Sequence, residues 1–220
     1  MNERTQDRIF AACGIASVAL MLVGLVIGAA GGREFATISS TPAQIAHALA
    51  KPAGTAVWIG AYVEILSFGC FLAFAVWATR KLGGGVLGGI ANAAATSYAT
   101  LSIASLGLMD AIEYRAGHGI GIDLARTLVT VNEALFVGTW FLSVFFLFAA
   151  APLAVASGRR ALGWSAVGVA CATLLLTAVS LDNLAQMANA LWLAWIVWAS
   201  ISLARVPRTA VSTVAAAQHA

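Results

Sequence analysis

Six long runs of apolar residues leave this chain very few folds to choose from. They cover Ile9–Ala30, Thr55–Thr79, Gly83–Met109, Leu124–Val155, Ala161–Leu181 and Asn183–Ala204. A helix needs about 17–25 apolar residues to cross a bilayer's hydrocarbon, and each run reaches or exceeds that length. The 220 residues are 61% hydrophobic and 10% charged, with a mean hydropathy of +0.91. Soluble domains carry about 25% charged residues. A single core of this size cannot hide the excess, so the solvent is lipid.

In lipid every backbone polar group must be satisfied within its own segment. The expected fold is therefore all-α, a six-transmembrane-helix bundle forming one domain over residues 1–205, with 206–220 a disordered cytoplasmic tail. The overlong fourth run is expected to tilt, or to bend near Pro152. The first run is longer than the roughly 7–15 residues of a signal-peptide core, so an uncleaved first helix is expected.

The net charge of +3 does not point to nucleic acid, because the basic residues sit at the ends of apolar runs and form no patch. In a six-pass arrangement Arg4, Arg8, Arg80, Lys81, Arg159, Arg160, Arg205 and Arg208 share one side. Arg33, Lys51, Arg115 and Arg126 share the other. The excess of basic residues marks the first side as cytoplasmic, with both termini on it. Cys13, Cys70 and Cys171 lie in apolar runs without a CxxC pair and read as packed, reduced thiols. In the first outer loop, Thr41-Pro42-Ala43-Gln44 is a capping box with proline at the first helical position. It opens a short helix with Ile45, Ala48 and Leu49 on one side. That helix lies on the outer membrane surface, or is an ordinary loop helix.

Two carboxylates interrupt the apolar runs. Glu64 lies in WIGAYVEILSFG and Glu133 in TLVTVNEALFVG. At 1.5 Å per residue both stand roughly 13 Å from the outer end of their helices. EILSFGCFL and EALFVGTWF share E-x-L-x-x-G, and each is followed by a basic pair and a glycine-bearing start to the next helix. This weak internal repeat would make the bundle an assembly of repeated two-helix hairpins. Helical spacing places Arg126, Thr130 and Glu133 on one stripe, and Asp182, Gln186 and Asn189 on another. Tyr98, Ser102 and Ser105 form a third, with Asp110 closing its end. Such groups are costly against lipid and should face one another. A polar cleft open to the outer side is expected, floored by Glu64 and Glu133 and served by Tyr98, Asn132, Gln186 and Asn189, with Arg126 at its mouth. The helix beginning GGGVLGG, rich in small residues, is the candidate for the bundle centre.

No Lys or Arg lies at the depth of the two glutamates. They are thus either protonated packing groups, a proton- or cation-linked site, or a site for an amine or other polar ligand. MDAIEYRAGHG puts Asp110, Glu113 and His118 in one outer loop, but not at the spacing of HExxH, and they read as solvated surface residues. No metal site, cofactor or catalytic residue is expected. A non-enzymatic binding, sensing or transport role fits best. The rivals are a structural subunit working with a protein partner or another copy of itself, and a lipid-modifying membrane enzyme. The segments WIGAYVEILSFG, NEALF with GTWF, and RRALGWSAVGVA resemble small bacterial polytopic integral membrane proteins of unassigned function, common in actinobacteria. The resemblance implies a six-helix protein of the bacterial inner membrane and brings no catalytic residues with it.

Overall fold

The structure, a computed structural model, describes residues 2–33, 40–50, 53–116, 118–179 and 183–205. Among them the chain is all-α: α1 (Glu3–Ala30), α2 (Pro42–Ala48), α3 (Thr55–Lys81), α4 (Gly85–Ala116), α5 (Ile122–Ala156), α6 (Arg160–Val179) and α7 (Asn183–Ala204). Five are long and apolar enough to cross a membrane: α1, α3, α5, α6 and, from Met187 on, α7. The long helix outside that set is α4. Its 32 residues extend about 48 Å, ample for a crossing, but Asn92, Thr96, Ser102, Ser105, Asp110 and Glu113 dilute its hydropathy.

Local chemistry sets the helix ends. Asn2 caps α1, its side chain accepting from the Arg4 amide. The Thr41–Gln44 capping box opens α2, each residue's side chain bonded to the other's backbone amide. The α3–α4 turn uses consecutive left-handed residues, Gly83, Gly84 and Gly85, a conformation that costs glycine nothing. The fourth expected run is continuous: α5 passes through Pro152 and ends at Ala156.

Each long helix packs mainly on its neighbours in sequence, and α1 closes the ring against α7. The main partners of α4 are α3 and α5, so it is a ring member and does not occupy the bundle centre. That interior holds an aromatic cluster instead. Phe71 of α3 meets Tyr98, Phe146 and Trp192 at ring-centroid distances of 5.3, 6.1 and 5.6 Å. Trp192 stacks on Trp195 at 5.9 Å. Among the helix pairs, α3 packs far more extensively on α1 than on α4.

Glycine explains that closeness. A Cβ on Gly60 would stand 2.6 Å from the Gly24 carbonyl oxygen and 2.8 Å from the Gly28 nitrogen. The two backbones therefore touch where Gly24-xxx-Gly28 crosses Gly60, the close approach small residues allow between helices. The capping helix α2 differs from an interfacial helix. Ile45 and Leu49 are buried against Met109, Ile112, Ala125 and Val129, so its apolar side covers α4 and α5 and not the membrane surface.

Candidate functional site

Arg33 is the residue around which the α2 end of the molecule is organised. α1 closes with a Schellman turn: the Arg33 amide donates to the Gly28 carbonyl at 3.1 Å, and the Gly32 amide to Ala29 at 3.0 Å. Gly32 takes the left-handed conformation, φ 87°. This reverses the chain, and the Arg33 side chain folds back past Gly28, where a Cβ would be 3.6 Å from Nη1. The side chain is only 1% exposed.

Three carboxylates meet it. Nη1 lies 3.3 Å from Glu64 Oε1 and Nη2 donates to Asp110 Oδ1 at 2.8 Å. Nε is 3.2 Å from Glu113 Oε1 but off the line of a hydrogen bond, and neither Glu113 oxygen has a hydrogen-bond partner. The expectation that no cation stands near Glu64 is thus corrected: Arg33, placed by its sequence position in a loop, reaches back to pair with it. Asp110 and Glu113 are not loop residues either. α4 continues to Ala116, so the two stand one turn apart on a helix face, and Glu113 is buried rather than solvated. His118 is exposed and stacks on Tyr114.

Beside this cluster lies a cavity of about 330 Å³, within the usual range of ligand pockets. Its polar wall comes from Glu64 (α3), Tyr98, Ser102 and Ser105 (α4), Asn132, Glu133 and Thr139 (α5) and Asn189 (α7), with Arg33 at one side. Its apolar wall includes Met21, Leu25, Phe68, Leu106, Met109 and Phe136. Ser105 Oγ donates to Asn132 Oδ1 at 2.8 Å, tying α4 to α5 at the wall. Tyr98 and Phe68 form the floor, in edge contact at 6.0 Å. Beyond them Phe71, Phe146 and Trp192 close the interior.

Five of the residues expected at the site thus share one cavity: Glu64, Glu133, Tyr98, Asn132 and Asn189. Asp110 stands next to it through Arg33. Arg126 is exposed and does not line it, so the cation at this cavity is Arg33. Asp182 and the Gln186 side chain lie outside the described residues. Sequence reasoning missed Arg33 and Glu113. Their signals were Gly31-Gly32 before Arg33, and an unbroken DAIEYR after the fourth helix's apolar run.

A second cavity of about 230 Å³ lies under α2, lined by Arg33, Glu113, His47, Leu49 and the glycines Gly31, Gly32 and Gly54 among others. Arg33 borders both cavities. Among the described residues no three His, Cys, Asp or Glu side chains are grouped to hold a metal ion. Comparison with protein-family models, with curated proteins and with solved structures finds no match to this chain.

Proposed function

We propose that this is a six-pass protein of the bacterial inner membrane that binds a small amine-bearing ligand in the larger cavity, opening to the outer side. α4 serves as the sixth span in this reading, and both termini are cytoplasmic. The observation that carries it is one cavity bringing two glutamates from different helices together with Tyr98, Asn132 and Asn189, beside an apolar wall that includes Phe68 and Phe136. Carboxylates and aromatic faces attract an ammonium group, and the amides fix its orientation. The apolar wall suits the ligand's hydrocarbon part. The aromatic cluster below the floor leaves the other half of the bundle packed, which favours binding or sensing over transport.

The test is calorimetric titration of detergent-purified protein with a panel of alkyl- and arylammonium ions. Saturable binding that weakens at least tenfold in Glu133→Gln and in Asn132→Leu supports the reading. Isotherms that are identical in wild type and both variants overturn it. The structural-subunit reading has one observation of its own, the Ser105–Asn132 bond joining two helices at the cavity wall. It predicts that kind of silence, together with a co-purifying partner.

A further inference from the structure

We infer that the smaller cavity under α2 is a second, separate site, which binds a small monovalent cation at the Glu113 carboxylate. Three carboxylates converge on the single guanidinium of Arg33, so with all three ionised the cluster keeps an excess of negative charge. Of the three, Glu113 is the least satisfied. The Nη nitrogens of Arg33 approach Glu64 and Asp110 within hydrogen-bond geometry. Glu113 receives only the misaligned Nε, and both its oxygens are buried without a hydrogen bond. An ionised carboxylate whose side chain is 9% exposed in that state is costly unless it takes up a proton, or another donor or a cation reaches it.

The cavity offers that place. Glu113 forms part of its wall, with Gly31, Gly32 and Gly54 among the other lining residues. A single buried carboxylate suits one alkali or primary ammonium ion, which matches its charge. The volume of about 230 Å³ holds several waters, hence a small cation with part of its shell. His47 also faces this cavity. The remaining carboxylates of the cluster are directed onto Arg33, so the low charge of a monovalent ion fits better than a divalent metal. Arg33, bordering both cavities, separates this site from the larger one.

The experiment titrates the purified full chain, at constant ionic strength, with methylammonium chloride, sodium chloride and potassium chloride in separate arms. The three arms distinguish an organic ammonium from an inorganic ion. Saturable binding of at least one is expected. It should fall at least tenfold in Glu113→Gln, recover in part in Glu113→Asp, and persist in Glu133→Gln. Ala53→Leu, which crowds the same cavity without altering charge, should weaken it too and serves if Glu113→Gln does not fold. Unchanged affinity in Glu113→Gln or, where that variant does not fold, in Ala53→Leu overturns the inference, as does no saturable binding in any arm. Loss in Glu133→Gln but not in Glu113→Gln would assign the ion to the larger cavity and overturn only the second site. Loss in Glu113→Gln with arylammonium binding insensitive to Glu133 would leave the second site standing and remove the larger-cavity reading.

Discussion

Gly24 and Glu64 are packed so closely that a Cβ on the glycine would stand 2.5 Å from the glutamate's Cγ. The close α1–α3 seam and the buried charges therefore share one place. Gly24→Ala is expected to push α1 from α3 at a cost of roughly 1–3 kcal/mol, the usual penalty of overpacking, and to disturb the Arg33–Glu64 pair. Val23→Ala, next to it but 49% exposed, should be nearly neutral. Thermal unfolding in detergent compares the two, and equal midpoints would contradict the seam.

Arg33 is expected to be the most sensitive side chain in the protein. Arg33→Leu leaves Glu64, Asp110 and Glu113 buried without their cation, and removing one partner of a buried pair costs roughly 3–5 kcal/mol. Glu64→Gln should cost less, because Asp110 still holds the guanidinium. Adding Glu64→Leu to Arg33→Leu should recover part of the loss. Chemical denaturation of the variants checks the order, and a mild Arg33→Leu would mean the cluster does not form.

Ile45 is 1% exposed and seats α2 on α4 and α5. Truncating a buried Ile to Ala costs roughly 2–5 kcal/mol, enough to undock so short a helix. Hydrogen exchange should rise over Pro42–Ala48 in Ile45→Ala while the long helices keep their protection. Uniform loss of protection would instead make α2 part of the global fold.

Ser105→Ala removes the donor to Asn132. The expected loss is about 1 kcal/mol in stability, the usual net value of one hydrogen bond. Freed from Ser105, Asn132 should also alter the affinity for an ammonium ligand. A thermal scan and a titration of the same sample measure both.

The helices were legible because lipid imposes one rule on every segment. Helical spacing put Glu64, Glu133, Tyr98 and Asn189 on inward faces, and one cavity holds all four, while Arg126 and Thr130 of the Glu133 stripe are exposed. Arg33 was not legible that way. Hydropathy ends a helix where charge begins, and only the left-handed turn at Gly32 sends the side chain back inside. The same bias ended the third run, α4 in the structure, at Met109, although no glycine or proline occurs between Leu108 and Gly117. The closeness of α1 to α3 was illegible too, since it depends on which glycines meet across helices. Gly60 facing Gly24 and Gly28 is a tertiary fact.

The Arg33–Glu64 pair joins residues 31 positions apart, at the end of α1 and inside α3. The partners are synthesised in quick succession, long before Asp110 and Glu113 emerge. A newly made α1–α3 hairpin can thus match its buried cation, Arg33, with one buried anion, Glu64. The surplus negative charge arrives only with α4, when the hairpin is in place to receive it. The order of charges along the chain thus supplies the pair first and the surplus second.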